Sequence, residues 1–340
     1  MQILTEKAEA GAHLSRQEAE AAMEEILSGR VAEDTIVALL SALRTKGETV
    51  EELVGFARAM RRHATPIFND ASRPVSLLVD TCGTGGDASG TFNISTTAAF
   101  VAAGAGARVA KHGNRSISSK CGSADVLEAL GIPLDVAPER VGAAINEIGI
   151  GFLFAPALHT AMRHAMPARR RLGRTAFNLL GPLTNPAAAR AQIAGVFSAE
   201  VVEKVANVLA ELGVERAFVV HGAGGLDEIS LAGETKVGEV RGATVRVYEI
   251  TPEDFGLGRA PISAISGGDA AYNASIIRAI LAGERGPRRD IVIANAAAAL
   301  VAAGRAVDFL EGARLAVESL DSGDARKKLD ALIAFTPRTY

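Results

Sequence analysis

Hydrophobic residues change their spacing near residue 64 of the 340. Before it they recur at helical intervals. Ser15 with Glu18 three residues on makes a capping box ahead of Ala22, Met23, Ile26 and Leu27, which share one helical face. "AEDTIVALLSALRTKG" carries Ile36, Val37, Leu39, Leu40 and Leu43, with Gly47 as a stop. Thr49 with Glu52 caps a third helix bearing Val54, Phe56, Ala57 and Met60. Residues 1 to about 63 therefore read as paired amphipathic helices, and Ala64 to Pro74 as a linker.

From Val75 short apolar runs alternate with helical patterns. Strands are expected at 75–81, 107–111, 150–154, 191–197 and 216–221, and helices at about 94–104, 123–130, 138–147 and 199–212. That alternation predicts an α/β domain with a mainly parallel central sheet. Residues 228–250 read as short strands and turns, and the chain from Asp269 as helices with loops. "RTAFNLLGPLTNPA", Arg174 to Ala187, breaks the rhythm with Gly-Pro and Asn-Pro. It is suited to cross back to the N-terminal helices, leaving a cleft between two lobes.

Composition narrows the class. At 48% apolar and 22% charged the chain is ordinary for a soluble globular protein, and a net charge of -3 recommends no nucleic-acid partner. Two cysteines, Cys82 and Cys121, make neither a disulfide framework nor a metal motif. The N-terminus lacks a signal-peptide core, and runs such as "IVIANAAAALVAAG" are too short and broken to span a bilayer. A cytoplasmic protein with no membrane partner is expected.

The chemistry concentrates first in "VDTCGTGGDASGTFNIST", Val79 to Thr96, a glycine-rich loop between an apolar strand and a buried helix. Glycine lets the backbone approach closely, and N–H groups at a helix N-terminus attract anions, so the stretch predicts a phosphate site. It fits poorly as a dinucleotide loop, because the next strand ends in Lys111 rather than an acid, and it lacks the Walker lysine.

Three further clusters extend the picture. "KHGNRSISS", Lys111 to Ser119, follows a strand end and is either a polar loop or a cationic loop facing the first. "HTAMRHAMPARRRLGR" holds Arg163, Arg169, Arg170, Arg171 and Arg174, either a solvated face or the source of one carboxylate clamp. "HGAGGLDEIS" sets Asp227 beside Glu228, as a turn before a strand or as ligands of Mg²⁺, which favours hard oxygens shared with substrate phosphates. Together these define an Mg²⁺-dependent enzyme of a phosphorylated, pyrophosphate-like substrate, with a carboxylate as candidate second substrate.

In order, "DTCGTGGD", "FNIST", "KHGNRSISS", "GSADVLEALG", "FAPALHTAMRHA", "FNLLGPLTNP" and "DEIS" resemble the anthranilate phosphoribosyltransferases of tryptophan biosynthesis over nearly the whole chain. The resemblance implies a small all-helical domain plus a large α/β domain with a cleft between them, like the pyrimidine nucleoside phosphorylases. It places the helical domain at 1–68, joined by a mid-chain segment at about 170–188, and the α/β domain at 69–340. It implies a homodimer using Mg²⁺ that joins the amine of anthranilate to C1 of phosphoribosyl pyrophosphate (PRPP) and releases pyrophosphate.

By the same resemblance, PRPP would contact Gly83, Gly86, Asp87, Thr91, Asn93, Ile94, Ser95 and Thr96 of the first loop. It would also contact Lys111, His112, Gly113, Asn114, Arg115, Ser116, Ile117, Ser118 and Ser119 of the second, and Ser123. Ser95, Asp227 and Glu228 match metal positions; Gly83, Asn114 and Arg169 match anthranilate contacts; His112 and His159 line the substrate's path. Met162 stands where some members of that family place a tyrosine, and Tyr272 where an acidic residue is usual. No general base is implied. The rivals are a pyrimidine nucleoside phosphorylase-like enzyme, a paralogue using another aromatic amine, and a non-enzymatic phosphoribosyl-binding regulator.

Overall fold

The computed structural model describes every residue except 70, 86–88, 117–119, 174 and 337–340. The N-terminal unit holds four helices rather than the three expected: α1 (Gln2–Glu9), α2 (Arg16–Leu27), α3 (Glu33–Lys46) and α4 (Val50–His63). Helix α1 escapes the sequence reading because it has no side-chain cap. Both capping boxes form: Ser15 and Glu18 close α2, and Thr49 and Glu52 close α4. Glu52 does more than cap. It is fully buried, pairs with Lys46 Nζ at 2.7 Å and accepts the Leu14 N–H at 2.8 Å. These bonds hold its carboxyl below the usual carboxylate range against the opposing effect of burial.

The α/β unit follows as β1 (Leu78–Gly83), α5 (Ile94–Gly104), β2 (Arg108–Gly113), α6 (Ser123–Leu130), α7 (Pro138–Glu147) and β3 (Ile150–Phe154). Next come α8 (Ala155–Leu158), a 3-10 turn (Thr160–His164), α9 (Met166–Leu172), α10 (Phe177–Leu183) and β4 (Ala191–Gly195). Then come α11 (Val202–Glu211), β5 (Arg216–Gly222), β6 (Thr235–Arg241) and β7 (Thr244–Ile250). The chain closes with α12 (Ala270–Leu281), α13 (Pro287–Ala302), α14 (Phe309–Asp321) and α15 (Asp324–Phe335). Strand β1 starts later than residue 75, since Val75 is fully exposed and makes no ladder.

Among the described residues the strands form one sheet in the order β3-β2-β1-β4-β5-β6-β7, parallel through β5 and antiparallel beyond. Strand order reverses between β1 and β4, a crevice where open α/β sheets bind ligands. The main core packs α5, α13, α14 and α15 against one face of this sheet. Helix α13 is buried all round, with Ile291, Val292, Ala294 and Leu300 at the centre.

A second core joins the helical unit to the rest. Leu39, Leu43, Leu53 and Phe56 pack in it with Ala168 of α9 and Phe177, Leu180 and Leu183 of α10. The 64–74 stretch is a packed connection rather than a bare linker: Ile67 and Phe68 are buried against Val141, Ile145 and Leu158. Each such large side chain stabilises the junction by roughly 1.5–3 kcal/mol. No helix among the described residues is long and apolar enough to cross a membrane.

Candidate functional site

The carboxyl ends of β1, β2, β4 and β5 converge on one side of the sheet, and the polar motifs follow them. Gly83 ends β1 and pairs in register with Gly195, which ends β4. Asp227, after β5, lies across both. A Cβ on Gly83 would stand 2.6 Å from Asp227 Oδ2, and one on Gly195 only 1.6 Å from Asp227 O. Two adjacent residues without side chains are what admit the acid to the crevice. The need for Gly195 is invisible in its own neighbourhood, since its cause lies in the Asp227 turn.

Asp227 Oδ2 accepts the Gly85 N–H at 2.9 Å, and Glu228 Oε1 accepts the Ser95 N–H at 3.0 Å. The two acids thus hold the glycine loop and the first turn of α5, where the helix dipole favours negative charge. Asn295 of α13, buried, fixes the next residue: it accepts the Ile229 N–H at 2.9 Å and donates to Ile229 O at 3.1 Å. Sequence reasoning missed it, because nothing near Asn295 marks a site. Among the described residues no group of three or more His, Cys, Asp or Glu could hold a metal by itself. Two carboxylates and a serine hydroxyl fit Mg²⁺, which completes its shell with water and substrate phosphate.

Lys111 lies within β2 and is buried, where its Nζ donates to Thr81 O and lies 3.4 Å from Ser95 Oγ. Asp80, fully buried on β1, accepts the His112 N–H at 2.9 Å and the Asn185 amide at 2.7 Å. Burial pushes the Asp80 carboxyl up and the Lys111 amine down, while their mutual attraction opposes both shifts. Asn185 also donates to Ala110 O at 2.8 Å, tying the α10 segment to β1 and β2. Neither Asp80 nor Asn185 stood out in the sequence.

The remaining predicted residues are placed as follows. Thr91 Oγ1 lies 3.2 Å from Ser89 Oγ. Asn93 and Ile94 open α5, with Ile94 itself in the core. Thr96 is buried, its hydroxyl without a hydrogen-bond partner among the described residues, in a small space beside Ala99, Phe100 and Phe152. Ser123 Oγ bridges the Asn114 main chain, and Gly113 passes against Ser123 and Phe152. Arg115 turns outward to Asp125 and Glu128, which raise its pKa, and the Ser116 N–H donates to Asp125. Gly86, Asp87, Ile117, Ser118, Ser119 and Arg174 lie outside the described residues.

The arginine run divides by environment. Arg170 is exposed, and Arg171 pairs at the surface with Glu33 and Asp34. Arg169 is half-buried, 5.3 Å above the Phe177 ring, with no carboxylate in ion-pair range among the described residues. Burial lowers its pKa. A buried guanidinium left unpaired is costly unless a ligand supplies the anion.

His112 and His159 face each other with ring centroids 5.2 Å apart. His112 Nδ1 bonds to Gly181 O at 3.2 Å, so it carries the proton and leaves Nε2 as a buried acceptor without partner among the described residues. His159 Nε2 is likewise buried and has no partner among the described residues. Desolvation, with a repulsive contribution from His159, lowers His112 to about 3; desolvation lowers His159 to about 4. Both are neutral acceptors at physiological pH. A shallow depression beside them is lined by Leu27, Met60, His63, His159, Ala161 and Met162, where the helical unit meets the 3-10 turn.

A helical bundle set on an α/β sheet, with a phosphate-type loop at the strand switch and acids behind it, defines a two-domain glycosyl transferase. Family models concur: the "Glycosyl transferase family, helical bundle domain" matches residues 1–64, and the "Glycosyl transferase family, a/b domain" residues 76–326. The chain is 55% identical to an anthranilate phosphoribosyltransferase of Symbiobacterium thermophilum, over 99% of this chain and 98% of that one. It is 57% identical to one of Solibacter usitatus, over 95% of each. The chain belongs to the anthranilate phosphoribosyltransferase family.

Solved structures agree. The Thermus thermophilus enzyme superposes with a TM-score of 0.91 at 47% identity, covering 98% of this chain and 99% of that one. The Saccharomyces cerevisiae enzyme, solved in complex with PRPP and Mg, superposes with a TM-score of 0.89 at 29% identity, covering 98% and 97%.

Proposed function

We propose that this chain transfers the phosphoribosyl group of PRPP to the amine of anthranilate, releasing pyrophosphate, as the second step of tryptophan biosynthesis from chorismate. The observation that carries this is the joint placement of Asp227 and Glu228 on the N–H groups of Gly85 and Ser95. It sets two carboxylates against a glycine-rich loop at a helix N-terminus, the combination that Mg²⁺ shared with a substrate phosphate uses. Asp227, Glu228 and Ser95 would hold Mg²⁺, which when bound offsets the charge of the departing pyrophosphate.

The chain's own residues then bind and orient. Both phosphate loops, from Gly83 to Thr96 and from Lys111 to Ser119 with Ser123, offer N–H groups, hydroxyls and the Lys111 charge to PRPP. Arg169 faces the anthranilate carboxylate, with Gly83 and Asn114 against the ring. The amine lone pair attacks C1 as the C1–O bond to pyrophosphate breaks, and the nitrogen afterwards gives up a proton. Anthranilate's amine is already a neutral nucleophile, so positioning and charge stabilisation supply most of the acceleration. Neutral His112 and His159 offer acceptors along the amine's route.

The family resemblance further supports a homodimer in the cytoplasm. It also supports a helical domain at 1–68 supplemented by the segment at about 170–188, with the α/β domain over 69–340. The test is direct. Anthranilate fluorescence is expected to fall when enzyme, PRPP and Mg²⁺ are combined, and to hold steady when any one is left out. Turnover of thymidine with phosphate, and none of anthranilate, would favour the nucleoside phosphorylase alternative.

A further inference from the structure

"SGGDAAYNAS", Ser266 to Ser275, belongs to none of the motifs used so far, yet it backs the first phosphate loop. Thr91 and Ser266 form an antiparallel bridge, the Gly267 N–H donates to Gly90 O at 2.9 Å, and the Phe92 N–H to Ile265 O at 3.4 Å. Arg288, from the first turn of α13, holds this strip from behind through Ser266 O at 2.9 Å and the Tyr272 hydroxyl at 3.2 Å.

Asn273, in the first turn of α12 and 1% exposed, carries the connection inward. Its Oδ1 accepts the Gly268 N–H at 2.7 Å, and its Nδ2 donates to Asn93 Oδ1 at 2.9 Å. Asn93 Nδ2 in turn donates to Cys121 O at 3.2 Å. The ends of this relay dictate the orientation of both amides: the Gly268 N–H can only donate and the Cys121 carbonyl can only accept. Asn93 occupies the N-cap of α5 but makes no side-chain cap bond, because its amide is committed to the relay. One line of hydrogen bonds therefore joins α12, the start of α5 and the segment that leads from the second phosphate loop into α6.

We propose that Asn273 is a positioning residue for PRPP. It sets the N-terminus of α5 and the Cys121 segment at a fixed separation by way of Asn93, and touches no substrate itself. The proposal rests on assigning PRPP to those two loops. Simple space-filling would favour an apolar side chain here, since a buried amide must be desolvated and recovers that cost only if both its ends are matched. What the amide adds is register, and anion sites depend on donors held to a fraction of an ångström.

The experiment titrates PRPP with Mg²⁺ into wild type, Asn273→Leu and Asn273→Asp by calorimetry, beside melting curves and steady-state kinetics. Leucine keeps the branched shape and removes every side-chain bond. Aspartate keeps the acceptor for Gly268 and removes the donor to Asn93. Both are expected to weaken PRPP binding about tenfold, one hydrogen bond's worth, with the anthranilate KM at saturating PRPP within twofold of wild type. A folded variant that binds PRPP within twofold of wild type overturns the proposal, whatever its melting temperature. So does failure of both variants to fold, which makes Asn273 a plain core residue. Wild type that binds no PRPP would instead sink the assignment of the loops, and the proposal with it.

Discussion

Arg169→Ala separates a ligand clamp from a structural arginine by the sign of two effects. The wild-type guanidinium is half-buried over Phe177, has no carboxylate in ion-pair range among the described residues, and has its pKa lowered by desolvation. A structural arginine in such a place would have a partner to lose, and removing it would lower the melting temperature. Here the variant sheds a half-buried charge without a carboxylate partner among the described residues and loses its contacts with Phe177 and Met166, so stability should stay within about 1 kcal/mol or rise.

Anthranilate use should move the other way. A charge-assisted bond to a carboxylate contributes roughly 1.5–3 kcal/mol, which is about ten- to a hundredfold in apparent affinity. Arg169→Lys should recover part of this, because a lysine keeps charge but not the bidentate fork. Steady-state fluorescence assays with anthranilate varied at saturating PRPP, alongside thermal melts, read both quantities. Arg170→Ala and Arg171→Ala serve as controls, since one side chain is exposed and the other is engaged at the surface by Glu33 and Asp34. Equal losses across the three arginines would mean a general basic face. A lower melting temperature with an unchanged anthranilate KM would mean a structural role. Either result refutes the clamp.

The double variant Asp227→Asn/Glu228→Gln keeps acceptors for the Gly85 and Ser95 N–H groups but removes both charges, so Mg²⁺-dependent turnover should fall by about a hundredfold or more at unchanged melting temperature. Wild-type rates in Mg²⁺ buffer would discard the metal assignment. Gly195→Ala would set a Cβ 1.6 Å from Asp227 O, forcing the turn to move by more than ~1 Å, and should cost about a hundredfold in turnover with ~1–3 kcal/mol of stability. A normal rate in a folded variant would show that Asp227 does not need its present position. His112 and His159 have folded-state values of about 3 and about 4, below their ordinary 6.5, so the unfolded chain binds more protons between those limits. Their contribution is complete above pH 6.5 and is lost as pH falls toward 3; His159→Gln should flatten the acid side of the melting-temperature profile between about pH 4 and 6.5, and an unchanged slope would contradict the neutral, buried assignment.

Much of this molecule was legible because its causes are local. The capping boxes at Ser15 and Thr49 rest on residues three apart, and α5, α6 and α7 begin and end at the expected positions because each is bounded by glycine, asparagine or proline within a turn. Asp227 and Glu228 were visible as adjacent acids after a glycine-rich turn, and the structure sets them on the Gly85 and Ser95 N–H groups. What stayed hidden acts across the chain. Asn185 answers Asp80 from 105 residues away, Asn273 answers Asn93 from 180, and Asn295 answers Ile229 from 66. An asparagine inside a helical pattern reads as a weak helix former, and only the fold reveals that its amide serves a distant loop. These three share a physical logic. The Asp80 carboxylate on β1, the Asn93 side chain at the start of α5 and the Ile229 main chain each find a partner in a buried amide from a rigid helix or its flanking turn. The segments that would hold PRPP and metal are therefore set by residues that need never meet a ligand, and such residues are best found by following buried polar groups to their partners rather than by conspicuous charges.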